Sequence, residues 1–189
     1  MKTTFDCLDR RRSVPSRQLG APGPNQEQLV AMLQAASRVP DHGKRVPFRF
    51  LRISGDARAA MGELLATRKV EIDPDASDAT VQKERERFSF APVIITVIAA
   101  QGFDEKIPAS ERFSTASCVC FALLQAAQAA GFGAQWLTGW ASYDTVVRER
   151  LGVAEDEAIV GFIHIGTAAM EAPERDRPDA ATLLRDWTP

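Results

Sequence analysis

The spacing of apolar positions changes several times along this 189-residue chain, and each change marks an element. Phe5 and Leu8 fall on one side of a short helix predicted over 5–12. A loop rich in proline and glycine follows over 14–24. Asn25 with Gln28 three residues on is a capping-box pattern, and Leu29, Met32, Leu33 and Ala36 continue at helical spacing. Val39-Pro40 ends that helix, because proline cannot continue it and restricts the residue before it. The run 48–54 (FRFLRIS) mixes apolar and basic positions as a strand with one wet face does. A helix is predicted over 57–68, and the polar, charged stretch 71–87 reads equally as an exposed helix or a mobile excursion.

Two runs, 92–99 (PVIITVIA) and 158–166 (AIVGFIHIG), are rich in β-branched residues and do not alternate, the pattern of strands covered on both faces. Between them, 114–130 is a helix apolar almost all round and full of small residues, as at the centre of a fold or at a subunit interface. Gly131 and Gly133 stop it. A short strand or loop over 135–138 and an amphipathic helix over 144–151 (DTVVRERL), closed by Gly152, complete the pattern. The tail after Thr167 is rich in proline and charge until Leu183, Leu184 and Trp187, large apolar residues that need a surface to bury them.

Composition narrows the class. The length suits one domain, 1–189, with a sizeable core. Hydrophobic residues at 45% and charged residues at 25% are ordinary for a soluble globular protein, and a net charge of −2 speaks against a nucleic-acid partner. Cys7, Cys118 and Cys120, an odd count with C-x-C spacing, form neither a disulfide framework nor a zinc pattern. With His42 and His164 the only histidines, no metal site is expected. The N-terminus lacks an apolar signal region, and the longest apolar stretch, 116–133, is interrupted by Ser117, Gln125 and Gln128. No membrane contact is expected, and the cytoplasm is the expected compartment.

There is no G-x-G-x-x-G and no G-x-x-x-x-G-K-[ST], so side chains must hold the phosphate of any bound nucleotide. Arg10-Arg11-Arg12-Ser13 offers guanidinium forks and a hydroxyl suited to a phosphate monoester; read alone, the same residues complement the dipole of a helix end. Arg38-Val39-Pro40-Asp41-His42-Gly43 places a histidine among turn residues, as a loop cap or a cofactor contact. Gly131 to Gly139 (GFGAQWLTG) reads as a helix stop and a strand. Lys106-Ile107-Pro108 reads as the approach to a helix with Ser110 as its cap and Glu111 in its first turn.

In order and spacing these patches resemble the nitroreductase family, most closely its short single-domain members, over almost the whole chain. Arg11-Arg12-Ser13 is similar to the family's N-terminal Arg-Arg-Ser, and Arg38 with Pro40-Asp41-His42 to its R-x-P-D-H turn. The run 91–97 (APVIITV) resembles its A-P-x-I-I-T-V strand. Lys106-Ile107-Pro108 and Gly131-Phe132-Gly133 match its K-[IV]-P and G-F-G. Val160-Gly161-Phe162 with Gly166-Thr167 matches its final strand.

The resemblance implies an α+β, nitroreductase-like fold: a central mixed or antiparallel sheet flanked by helices, in an intertwined homodimer with FMN at the subunit interface. It implies that Arg11, Arg12 and Ser13 hold the phosphate and ribityl chain, and that Trp136, Leu137 and Thr138 line the flavin site. Arg38 and His42 would approach the flavin from the other subunit. Ala126, Ala127, Gln128, Ala129, Ala130 and Gly131 are the counterpart of a stretch associated with the nicotinamide nucleotide. The implied activity is transfer of electrons from NADH or NADPH, through the flavin, to a nitro- or quinone-like small molecule in ping-pong turnover with no catalytic side chain. The tail 167–189 would pack on the partner subunit. Two positions depart from the pattern: Leu137 stands where close relatives have Arg, and Pro15 where many have a basic residue, with Arg17 the nearest substitute. Two other readings follow from such departures: a flavin-binding or flavin-processing relative without reductase turnover, and a structural dimer without cofactor.

Overall fold

The computed structural model describes residues 6–188. It contains strands β1 (Leu19–Gly20), β2 (Phe48–Ser54), β3 (Val93–Ala100), β4 (Gly133–Leu137) and β5 (Glu157–Ala168). Among the described residues the helices are α1 (Asp6–Asp9), α2 (Gln26–Ala36), α3 (Asp56–Ile72), α4 (Asp78–Glu86), α5 (Ala109–Ala129), α6 (Thr145–Arg150) and α7 (Ala180–Leu183). The start of the predicted first helix, at Phe5, lies outside the described residues. The sheet runs β1-β5-β3-β2, with β4 also paired to β5, and every pairing is antiparallel. This is an α+β architecture.

The two runs without alternation are the two central strands, and their pairing explains the pattern. Val93, Ile95, Val97 and Ala99 of β3, with Val160, Ile163 and Ile165 of β5, face α2 and α5 in one core. Ile94 and Ile98 of β3, with Ile159 and Phe162 of β5, face Ile53, Met61, Leu65, Phe88 and Val147 in a second core. Each such side chain contributes roughly 1.5–3 kcal/mol when fully buried, so apolar residues are favoured at successive positions. The capping box at Asn25 forms: its side chain accepts from the Gln28 N–H at 2.8 Å, and its own N–H donates to Gln28 Oε1 at 3.0 Å.

Helix α5 begins before the predicted start, with Pro108 at its cap, so Ser110 lies inside the first turn and does not cap it. One face of α5 enters the first core through Ala116, Val119, Cys120, Leu123 and Ala127. On the rest of its surface Phe113, Cys118 and Phe121 are exposed. No helix among the described residues is long and apolar enough to cross a membrane.

In the charged stretch 71–87, residues 71 and 72 end α3, and Asp78–Glu86 form α4, capped by the Ser77 side chain and packed on α3. Gly62 of α3 allows this approach, because a Cβ there would overlap the Arg85 carbonyl oxygen. Ala is the better helix former by about 1 kcal/mol, whereas overpacking costs about 1–3 kcal/mol, and a backbone atom cannot rotate aside. Gly62→Ala is therefore expected to destabilise by about 1–2 kcal/mol in urea unfolding; a stabilised variant would show that α4 does not pack this closely.

His164 of β5 is buried against Phe88, and neither of its ring nitrogens has a hydrogen-bond partner. Burial, and secondarily the charge of Arg87, push its pKa down to about 4. The folded state thus favours the neutral ring. That contribution is complete above the unfolded value near 6.5 and is lost as pH falls through the folded value. Between pH 7 and pH 4 the stability of the protein relative to His164→Leu is expected to fall by on the order of 3 kcal/mol; parallel pH profiles would show an ordinary histidine.

Candidate cofactor site

The segment after α1 is laid along the end of α5 and the edge of β4 by alternate backbone N–H groups. Arg12 N–H donates to Gln128 Oε1 at 3.1 Å, Val14 N–H to the Ala134 carbonyl at 3.0 Å, and Ser16 N–H to Gln135 Oε1 at 2.6 Å. Between them stands Pro15, which has no N–H to place. The last turn of α1 holds no basic residue, and of the arginines beyond it Arg12 turns back to donate from Nη1 to the Asp9 carbonyl at the helix end, as the dipole reading expects.

Arg11 Nη1 donates to Ser13 Oγ at 3.1 Å. Arg11, Arg12 and Ser13 line a small cavity together with Pro173, Arg175 and Arg177 of the C-terminal tail. Glu174 pairs with Arg12 and, at 3.3 Å, with Arg177. Burial first, then the like charges of Arg177, Arg12 and Arg175, push the Arg11 guanidinium below its ordinary pKa. Guanidinium groups remain charged in proteins, so this cluster carries mutual repulsion that a multivalent oxyanion would relieve. Sequence reasoning missed Arg175 and Arg177. They sit about 160 residues away in a tail with no periodicity, and R-x-R in a charged tail is too common a pattern to stand out.

Three residues along the same segment a second pocket opens, of about 350 Å³, lined by Ser16, Arg17, Lys83, Arg87, Phe90, Leu137, Thr138 and Gly139. Arg17 lies over the Phe90 ring, 5.6 Å from its centroid. Arg87 Nη2 donates to Glu84 Oε1 at 2.9 Å, and Trp140 Nε1 to Glu84 Oε2 at 3.2 Å. Gly139 has φ +124, and a Cβ there would stand 2.9 Å from Arg87 Nη1. Trp136, half-buried on β4, donates from Nε1 to the Val160 carbonyl at 3.2 Å, which fixes its indole over Gly161.

The structure thus joins Arg11, Arg12, Ser13 and Gln128 to Leu137 and Thr138 through one stretch of backbone, with Trp136 beside them. Ala126 and Ala127 lie in α5, Ala127 fully buried, while Ala129, Ala130 and Gly131 are exposed at the helix end. Arg38 and His42 stand elsewhere. Arg38 is exposed after α2. His42 Nδ1 lies 2.7 Å from Glu111 Oε2, on a surface pocket with Pro40, Ser110, Ser114 and Thr115. Within one chain these two line neither of the other pockets.

An antiparallel α+β sheet thus carries an arginine cluster next to a pocket that Phe90 borders. Residues 8–167 match the Nitroreductase family. The chain is 36% identical over 168 residues to the "Putative NAD(P)H nitroreductase YdjA" of Escherichia coli K12, covering 89% of this chain and 90% of that protein. In structure it is similar to a nitroreductase-like family protein from Bacillus cereus, with TM-score 0.81, 20% identity and 99% of both chains covered. It is also similar to a "putative nitroreductase in complex with FMN" from Desulfovibrio desulfuricans, with TM-score 0.73, 22% identity, and 98% and 97% of the two chains covered. This protein belongs to the nitroreductase family, and it is a flavin oxidoreductase by class.

If the arginine cluster is an oxyanion site, inorganic phosphate should raise Tm by mass action, about 2.7 kcal/mol of stability at a hundredfold excess over Kd. The double variant Arg175→Met/Arg177→Met should lose most of that gain. An equal shift from sodium chloride at matched ionic strength would mean general screening only.

Proposed function

We propose that this protein binds FMN and carries electrons from NADH or NADPH to a nitro- or quinone-like small molecule. One observation carries this reading above others: the convergence of Arg11, Arg12, Arg175 and Arg177 beside Ser13, continuous by backbone with a flat-walled pocket. A phosphate monoester is nearly a dianion, and guanidinium forks match it bidentately. Arg11, Arg12 and Ser13 hold the phosphate and the start of the ribityl chain. Trp136, Leu137 and Thr138 line the ring, and the end of α5 over 126–131 borders the nicotinamide nucleotide. When bound, the flavin supplies two-electron transfer between a nicotinamide donor and an acceptor that take turns at one face. The protein's residues position the ring and favour its charged reduced state.

The working unit in this reading is a homodimer of single-domain chains, in the cytoplasm. Two exposed apolar surfaces support it: Phe113, Cys118 and Phe121 on α5, and Leu183, Leu184 and Trp187 in the tail, where Trp187 is 85% exposed. Of the arm 167–189, the end that carries Leu183, Leu184 and Trp187 would pack on the second copy, and Arg38 and His42, remote from the site of their own chain, would reach the flavin held by the partner. Leu137 favours a second reading, flavin bound without reductase turnover, since it places an apolar side chain where a guanidinium would assist the reduced ring.

The visible spectrum separates these. Protein incubated with excess FMN and freed of unbound cofactor should be yellow, and should bleach when NADH or NADPH is added without oxygen. A colourless protein sinks the proposal, and a yellow one that neither donor bleaches selects the second reading. Arg11→Ala should weaken FMN binding by about 10–100-fold, the scale of one charged hydrogen-bond set.

A further inference from the structure

The turn between α2 and β2 holds a conformation that its own residues oppose. Lys44 and Val46 have φ +53 and +48, beside Gly43 at +70. A β-branched side chain rarely enters this left-handed region, and Val46 also precedes Pro47, which pushes a residue toward extended backbone. Burial is not the reason, since Val46 is 62% exposed. Two clasps hold the turn. Asp41 Oδ1 accepts the Arg45 N–H at 3.1 Å, and its Oδ2 accepts the Val46 N–H at 2.8 Å. Arg45 Nε then pairs with Asp104 Oδ2 at 3.0 Å, in the loop between β3 and α5. That loop is a firm support. Asp104 Oδ1 accepts the N–H groups of Lys106 and Ile107 at 2.9 and 3.0 Å, and the buried Arg112 donates to the Gly102 carbonyl. Ile107 is buried against Gly43, where a Cβ would stand 2.8 Å from its Cδ1. His42, inside the turn, meets Glu111 of α5, Nδ1 to Oε2 at 2.7 Å.

We infer that Asp41, Asp104 and Glu111 are positioning residues: the two aspartates hold the strained turn 41–46, and Glu111 fixes the His42 ring within it, so that this histidine is presented to the flavin of the second copy before the flavin arrives. The inference rests on the FMN reading above, in which His42 reaches the flavin held by the partner. Strain of this kind persists only where the surroundings over-determine the backbone, and it gathers at ligand contacts. Here the surroundings are three carboxylates, each directed at the turn or at the histidine it carries. A turn that served only to lead into β2 would not need them, because glycine at 44 and 46 would adopt the same backbone at no steric cost. Without the clasps Val46 would return to negative φ, and the chain between His42 and the sheet would change course and carry the imidazole off Glu111. A turn already in place leaves the ligand no loop to order, which lowers the cost of binding.

The test is the Kd of FMN, together with amide hydrogen exchange in the flavin-free protein. Asp41→Ala should speed exchange of the Arg45 and Val46 N–H groups and weaken FMN by about tenfold or more, the scale of hydrogen bonds to a charged group. Val46→Gly removes the steric cost of the positive φ. By itself it should leave FMN binding close to native, and added to Asp41→Ala it should restore most of the lost affinity. Arg45→Met removes the pair with Asp104 and leaves Asp41 in place. It should weaken FMN about threefold, as one exposed ion pair would, with the same rescue by Val46→Gly, and it decides the matter should Asp41→Ala fail to fold. Glu111→Ala should weaken FMN in the native protein and have no further effect beside His42→Ala. Flavin affinity that neither Asp41→Ala nor Arg45→Met changes, or a loss that Val46→Gly does not restore, overturns the inference, as does a Glu111→Ala loss that persists beside His42→Ala. A native protein that stays colourless with excess FMN instead overturns the FMN reading, before any variant is made.

Discussion

β5 is hydrogen-bonded along both edges and buried on both faces, and the rest of the structure is arranged around that fact. Its long pairing with β3 separates the two cores. β4 pairs along its other edge and β1 pairs with its end, and the chain before β1 runs beside β4, where Val14 N–H donates to the Ala134 carbonyl. That run is the arginine segment. The site therefore exists because a strand paired along both edges brings an N-terminal stretch, the end of α5 and β4 into one place.

Charge then decides what the place can hold. With no glycine-rich loop to offer backbone N–H groups to a phosphate, the protein gathers guanidinium groups instead, four of them around one small cavity. The second pocket uses a different device: an arginine tied to a buried carboxylate, so that the charge is fixed in direction as well as sign. The aromatic groups Phe90, Trp136 and Trp140 supply the rigid surroundings in which such a charge acts at short range.

Local physics made much of this legible. The capping box of α2 and the short helix before Gly152 are set by interactions within a few residues, and the runs of β3 and β5 are legible because burial on both faces leaves a simple apolar pattern. The order of weak motifs then pointed to the family. What escaped depended on tertiary contacts. Within 71–87, Asp78–Glu86 form a helix that packs on α3 where Gly62 lets it approach, which its own polar sequence does not announce. Lys83 and Arg87 looked like solvated charges until the fold turned them toward Leu137. Ser110 had the chemistry of a cap, but the loop ends two residues earlier, at Pro108. Arg175 and Arg177 have no neighbours in sequence that would mark them, and only the return of the tail past Ser13 does so.

Pro15, first met as a missing cation, has a consequence of its own. It sits between the two charged groups with φ −51, and its carbonyl accepts the Gln18 N–H at 2.8 Å. A proline in a conformation it can adopt without strain leaves the unfolded chain fewer states to lose, which is worth about 0.4–1 kcal/mol. The residue that gives up a charge thereby sets the separation between the charges on either side of it, and the segment behaves as a spacer of fixed length already in place before any ligand arrives.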